Sequence, residues 1–420
     1  MRNITAGKYR KGTDYRIYFP TVPSIGRPPT RARLVQKQNA HDVLILEFDA
    51  TSEIWFKHLN TGVPVQFTWS QDHRSKTWYG YVSFVTKEVA AQRRKMMQVY
   101  CIGTSFVLKD AAARVFTNST ITEAVSTICN EFGLNFIGEP HTRRFEQLSI
   151  SGHSYWEWVV EQAAVIGYGV IIEGTNLIFR PIDKVINQVV SDTPVLEYND
   201  PNAALGTQIH SRTLDYFRVL RGEHIEMDAS SRAIKHVGGV DPFTAALIKS
   251  AADPKSVGEN LRSNTSDVLF SEYRGDRVVH SDNDSTSTSK GHAHLSRFNL
   301  PALVKGIGDP RLRPYSPVFI SGTGQLTDGY WIVKEVVHYF TRSGVYEYEM
   351  TIVTDGTGDT ATSPFRASRP NTVGIIDVNH ILNMDSLVLN TKTTTLHNSL
   401  IHNQSNQGFN RTPSRWKTIL

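Results

Sequence analysis

Asp328–Gly356 reads DGYWIVKEVVHYFTRSGVYEYEMTIVTDG. Aromatic and β-branched residues alternate with polar ones along it, the pattern of a β-hairpin, and it carries no evident catalytic group. A looser version stands much earlier, at WYGYVSFVTKE, Trp78–Glu88. A chain that builds one kind of hairpin twice needs a reason for doing so, and the fold reading turns on that reason.

The surrounding β segments extend the likeness. Around the early hairpin, VPVQFTW (Val63–Trp69) precedes it and QVYCIGTS (Gln98–Ser105) follows. Around the late one, SPVFISG (Ser316–Gly322) leads in and YEYEMTIVTDG closes. Each set has a Pro-Val strand, a polar turn, a strand entered through Gly and aromatics, and a closing strand. The order of parts is better preserved than the residues. In Trp78–Phe84 both faces carry large groups, as in a barrel strand with a core side and a subunit-facing side.

Length and composition set wide bounds. At 420 residues, with 40% hydrophobic and 20% charged, the chain has room for two to four domains of ordinary globular composition. No apolar run approaches the ~18 residues of a membrane span, so no membrane anchor is expected. The basic N-terminus MRNITAGKYRKGTDYRIYF lacks the apolar core of a secretion signal. Two cysteines, Cys101 and Cys129, are too few for a disulfide framework and fit synthesis in a reducing cytoplasm. A net charge of +5 permits contact with nucleic acid or an acidic protein face without requiring either.

The expected fold is α+β, mainly β. Residues 1–108 read as a first β-barrel, their short strands separated by Asn60–Gly62 and Gln71–Lys76. Residues 109–189 read as a small α/β module. Thr120 with Glu123 and Ser154 with Glu157 form capping boxes. Ile121, Ala124, Val125, Ile128 and Phe132 fall at helical spacing before Gly133, as do Trp156, Val159, Val160 and Ala163 before Gly167. Residues 190–225 with 300–357 read as a second barrel. Between them, 226–299 is a mixed insertion: a helix opened by Asp241 and Pro242, then a mobile polar loop over Ser281–Gly291. Residues 358–420 read as a linker and an extended C-terminal arm. The arm contains no Glu from 373 onward and has too few apolar residues to fold alone. Trp416, Leu420, Arg415, Leu387 and Leu389 are its expected anchors on a partner.

Three stretches together resemble the baseplate or tail hub proteins of tailed bacteriophages, the late control gene D proteins and the N-terminal part of VgrG-type spikes. They are CIGTSFVLKDAAARVFTNSTITEAVSTICNEFGLNF (Cys101–Phe136), SISGHSYWEWVVEQAAVIGYGVIIEGTNLIFRPID (Ser149–Asp183) and GIGDPRLRPYSPVFISGTGQLTDGYWIVKEVVHYFTRSGVYEYEMTIV (Gly306–Val353). The last carries the family's Gly-Asp-Pro and its G-x-W-x-V-x-x-V-x-H strand, with His338 in the histidine place. Where the family has Pro-Gly, this chain has Pro314-Tyr315-Ser316, so a locally different turn is expected. The resemblance covers about residues 10–357 and implies two tube-like barrels per chain in a homotrimer. Six similar barrels would then join a sixfold tail tube to a threefold central spike or tail tip. It also implies a virion location, contact with the tail tube, spike and tape-measure proteins, and DNA passing through the lumen without specific binding.

Other motifs have plainer readings. His292-Ala293-His294 lacks the Cys, Asp or Glu that would complete a metal site, and Asp282–Asp284 lacks the Gly and distal Glu of a calcium loop. Gly322–Gly329 is followed by no Lys-Ser/Thr, so it is no phosphate loop. Glu157 is explained by its capping box, His338 by packing, and Arg93–Lys95 by a solvated turn. No cofactor, metal or catalytic residue is expected. Two functions compete with the hub. A peptidoglycan-degrading enzyme would need a carboxylate pair or Cys/His set in one cleft. A nucleic-acid or carbohydrate-binding module would show salt-sensitive binding.

Overall fold

The computed structural model describes residues 14–22, 29–49, 53–71, 74–89, 95–181, 193–198, 214–220, 233–240, 245–252, 262–265, 270–274, 282–295, 298, 300–324 and 326–360. The first part holds β1 (Asp14–Tyr18), β2 (Arg31–Lys37), β3 (Val43–Phe48), helix α1 (Glu53–His58), β4 (Pro64–Gln71), β5 (Arg74–Glu88) and β6 (Met96–Gly103). After a short 3-10 helix at Thr104–Lys109 come β7 (Ala111–Thr120), α2 (Ile121–Glu131), β8 (Asn135–Gly138), β9 (Arg144–Ser154), α3 (Tyr155–Ile166), β10 (Tyr168–Glu173) and β11 (Asn176–Pro181). Then follow β12 (Val195–Glu197), β13 (Tyr216–Val219), β14 (Ala233–Val240), β15 (Leu247–Ala252), β16 (Arg262–Thr265), β17 (Phe270–Arg274) and α4 (Asp282–Leu295). The last part holds β18 (Leu300–Ile307), β19 (Pro317–Ser321), β20 (Gly329–Thr341), β21 (Tyr346–Thr354) and β22 (Gly356–Thr360).

The protein is mainly β, and its large sheet curls into a half-barrel. That sheet has 12 strands and takes in both β regions. The first region contributes the order β1-β4-β5-β6-β3-β2 and the second β12-β19-β20-β21-β18-β13. Numbered within its own region, each is the same order: first, fourth, fifth, sixth, third, second. The register repeats too. Val82, Cys101, Leu44 and Leu34 lie side by side across β5-β6-β3-β2, and Val333, Ile352, Ala302 and Val219 across β20-β21-β18-β13. Pro64 faces Tyr81 as Pro317 faces Ile332. Both long strands also shift register against the following strand at the same step, between Val82 and Phe84 and between Val333 and Glu335. The regions differ at their outermost strand: β1 pairs antiparallel with β4, β12 parallel with β19.

This frame shows why the two hairpins look so loosely alike in sequence. Trp78 and Gly80 occupy the places of Gly329 and Trp331, so the bulky and the small residue have changed places. A Cβ on Gly80 would lie 2.3 Å from the Trp78 ring, so the tryptophan needs glycine two residues on.

The α/β module forms as its caps dictate. Thr120 accepts from the Glu123 amide (3.1 Å) while the Glu123 carboxylate accepts from the Thr120 amide (2.9 Å). Ser154 and Glu157 make the same exchange at 3.2 and 2.8 Å. Gly167 closes α3 in the left-handed conformation at φ 70°. The inward faces of α2 and α3 pack on β8, β10 and β11, and this core runs on into Phe319, Tyr330, Ile332 and Val353 of the second β region.

Two expectations for the 226–299 insertion need correction. The helix expected from Asp241 is instead strand β15, antiparallel to β14, with Ile248 and Ala252 buried at alternating positions. Pairing with Lys235–Val240 overrides the helical preference of the alanine-rich run. Conversely, the loop expected over Ser281–Gly291 is part of α4. Its buried residues Ser285, Thr288, Ser289, His292 and Ala293 follow helical spacing, so the polar run hides a stripe of mostly small side chains. Ser285 Oγ donates to the Val237 carbonyl (2.8 Å) and lies 2.6 Å from Ser250 Oγ, which pins α4 onto β14 and β15.

Candidate assembly interface

The two β regions meet where β2 pairs antiparallel with β20, from Arg31 opposite Thr341 to Lys37 opposite Glu335. On the core side Ala32 faces Phe340 and Leu34 faces His338, all buried. Phe340 stacks on Tyr346 at 4.5 Å between centroids and meets the edge of Phe67 at 5.2 Å, so aromatic rings from both regions share one cluster. His338 lies inside it, with its Nδ1 2.8 Å from the Tyr346 hydroxyl. Burial pushes its pKa down to about 4, so the imidazole is neutral and serves as a packed core residue. On the outer side the Arg33 guanidinium lies 5.7 Å over the Tyr339 ring directly opposite.

Each partner in this seam has a counterpart elsewhere that no described strand covers. Strand β4 pairs with β5 only as far as Tyr81, and beyond it only β6 flanks β5 among the described residues. Strand β13 ends the sheet path, with β18 as its one neighbour in that path. The exposure follows. Phe340 is 1% exposed under β2, whereas Val89, the residue just past the end of β5 at the same step, is 61% exposed. Tyr216 at the start of β13 is 40% exposed. These edges are templates for strand addition.

A second feature is a cavity of ≈ 660 Å³ between the first β region and the α/β module, walled by Asp42, Lys76, Trp156, Glu173, Arg313 and Tyr315 among others. Glu173, at the β10–β11 turn, forms ion pairs with Arg313 and, at 3.8 Å, with Lys76. Enclosure pushes Lys76 down to about 8, aided by the charge of Arg313. Asp42 accepts from Gln36 Nε2 (2.8 Å) and Trp78 Nε1 (3.2 Å), and enclosure pushes its carboxyl up to about 6 against those bonds. His41 stacks on Trp156 at 5.3 Å and sits 2.6 Å from Ser105 Oγ. These contacts clamp the module to the sheet. The one hydroxyl they set beside an imidazole is Ser105 on His41, whose pKa burial pushes down to about 4, and among the described residues no group of three or more His, Cys, Asp or Glu gathers to hold a metal.

Tyr315 completes the wall, and the Pro314-Tyr315-Ser316 turn repeats the turn at Gly62 of the first β region. Gly62 at φ 87° donates to the Val82 carbonyl (2.8 Å), and Tyr315 at φ 69° donates to the Val333 carbonyl (2.8 Å). Val82 and Val333 return bonds of 2.8 and 2.9 Å to Val63 and Ser316. Tyr315 therefore makes a glycine's turn with a side chain attached, its ring buried and its hydroxyl donating to Asn39 Oδ1 at 2.7 Å. Matching the two Pro-Val strands places Tyr315 opposite Gly62, so the signal was present in the sequence.

Trp416, Leu420, Arg415, Leu387 and Leu389 lie outside the described residues. His292 is buried on α4.

No protein-family model matches the sequence, and no curated protein matches it. Solved structures do. A 43 kDa tail protein of prophage MuSo2 from Shewanella oneidensis aligns with a TM-score of 0.57 at 13% identity, over 82% of this chain and 100% of that one. A tail protein from Neisseria meningitidis aligns with a TM-score of 0.56 at 10% identity, over 83% of this chain and 98% of that one. The chain shares its fold with phage tail proteins. That likeness accords with the resemblance carried by the three sequence stretches.

Proposed function

We propose that this phage-tail fold serves as a structural tail hub, a homotrimer that adapts the sixfold tail tube to a threefold central spike or tail tip. The observation that carries the reading is the repeated strand order and register of the two β regions. A chain made of two equivalent units, taken three times, presents a ring of six, which is what a sixfold tube can stack on. Each region forms one tube-like barrel wall, and the ring leaves no edge free. The module and the 226–299 insertion lie outside the ring. The hub works without catalysis and is part of the virion after synthesis in the host cytoplasm. Its partners are the tail tube protein, the spike or tail-tip protein and the tape-measure protein, and DNA crosses its lumen without sequence-specific contact.

The arm beyond 358 docks on a neighbouring hub subunit or on the protein at the threefold axis, with Trp416, Leu420, Arg415, Leu387 and Leu389 as anchors. A few Leu and Ile side chains at about 25 cal/mol per Å² yield several kcal/mol, enough only where a partner supplies the other wall. Deleting residues 373–420 is expected to leave the melting transition unchanged and to weaken tail-tip assembly. Counting copies in purified particles tests the reading directly: three per tail supports it, while six copies in one ring, or one, overturns it.

A further inference from the structure

We infer that copies of this chain join by adding β13 of one to the open edge of β5 in the next, in the register that β2 and β20 already use within each chain. This rests on the hub reading for the number of copies but not for the pairing itself. The argument is positional. Strand β2 is the last strand of the first β region and seats on the far half of β20, the fifth strand of the second. The last strand of the second region is β13, and the fifth strand of the first is β5. No described strand occupies the edge of β5 beyond Tyr81 or the outer edge of β13 itself, β12 reaching only Leu214 ahead of it. A repeated unit whose internal joint has one half vacant at each end is built to continue head to tail.

The repeated register fixes which residues meet. Leu34 and Val219 hold the same place in their regions, as do Val82 and Val333. Within the chain, Ala32, Arg33 and Leu34 face Phe340, Tyr339 and His338. Carried to the vacant edges, Phe217, Arg218 and Val219 face Val89, Glu88 and Lys87 of the next copy.

The chemistry agrees at two of these three places, Val219 facing the exposed Lys87. Phe217 meets Val89, the exposed valine at the step where Phe340 is buried. On the outer face, the cation–ring pair of Arg33 with Tyr339 becomes a pair of opposite charges, Arg218 with Glu88. Opposite charges directly across a strand pair stabilise it, and a slip of one residue would turn each side chain to the wrong face.

The test is a pair of exposed cysteines, Arg218→Cys with Glu88→Cys, in the full chain. The native Cys101 and Cys129 are buried and stay silent. Oxidation is expected to give an intermolecular disulfide ladder. A control pair, Arg218→Cys with Lys87→Cys, places the thiols on opposite faces and is expected to give none. A ladder ending at trimer supports both the pairing and the hub. A ladder running past trimer keeps the pairing and removes the threefold hub. Trimers by native mass without the disulfide overturn the pairing and leave the hub standing. A chain that stays monomeric up to its solubility limit overturns both. Should the cysteine variant misfold, charge exchange decides. Glu88→Arg or Arg218→Glu alone is expected to weaken self-association several-fold, and the two together to restore it; failure of the double variant to recover overturns the pairing.

Discussion

A tyrosine at φ 69° holds a conformation that costs a non-glycine residue about 1–3 kcal/mol, and Tyr315 keeps it because its ring is wholly enclosed and its hydroxyl is satisfied by Asn39. The hydroxyl is therefore the group to remove. Tyr315→Phe leaves the turn and the ring in place but strands Asn39 Oδ1, and a loss of about 1–2 kcal/mol in urea denaturation is expected. No change in the denaturation midpoint would show that the hydrogen bond contributes nothing. Asp42 gives a pH dependence. Its folded pKa, about 6, lies above the ordinary value of 3.8, so the unfolded chain gives up its proton first. Between those values the folded state binds more protons, and stability falls as pH rises from about 4 to about 6. The carboxylate keeps one side on the cavity, so the loss is expected at about 1–2 kcal/mol rather than the full linkage value of about 3 kcal/mol. Asp42→Asn preserves the acceptor for Gln36 and Trp78 and removes the titration. Melting curves of the two proteins are expected to diverge over that pH window, and parallel curves would rule the effect out.

At the scale of elements, legibility followed how local the cause was. Helices α2 and α3 were readable because capping boxes and helical spacing are written within a dozen residues, and both caps are made as read. Ser154→Ala is accordingly expected to cost about 1 kcal/mol, by the loss of the bond to the Glu157 amide, again from the denaturation midpoint. Strand β15 and helix α4 were misread for the opposite reason. Leu247–Ala252 takes its strand form from β14, and the serines of α4 find their partners at Val237 and Ser250. Neither cause is visible within the segment itself. The repeat lay between these extremes. The order of its parts was legible, but the exchange of Trp78 and Gly80 for Gly329 and Trp331, and of Gly62 for Tyr315, hid the residue match until pairing supplied the register. The cavity and its clamp of Lys76, Glu173 and Arg313 were not legible, because three distant segments meet there.

At the scale of the whole molecule, the two β regions are equivalent units but not independent ones. The core of the first contains Phe340 and Tyr346 from the second, and the seam between β2 and β20 is a continuous hydrogen-bonded ladder. The second region in turn shares Tyr330, Ile332 and Val353 with the core of the module. Each buried aromatic of this kind contributes about 1.5–3 kcal/mol, comparable with a sizeable part of a domain's net stability. Separation at residue 108 would strip Phe340 and Tyr346 from the first core and bare the edge of β2. The fragment of residues 1–108 is therefore expected to give no cooperative melting transition and to self-associate through its exposed edges. A chain ending at residue 360 keeps every one of these contacts, and is expected to melt at the temperature of the full chain, with both β regions unfolding in one step. Hydrogen exchange separates the outcomes: equal protection in β3 and β21 supports a single cooperative unit. Loss of protection in β3 well before β21, with a folded 1–108 fragment, would mean that the repeat consists of two self-sufficient domains.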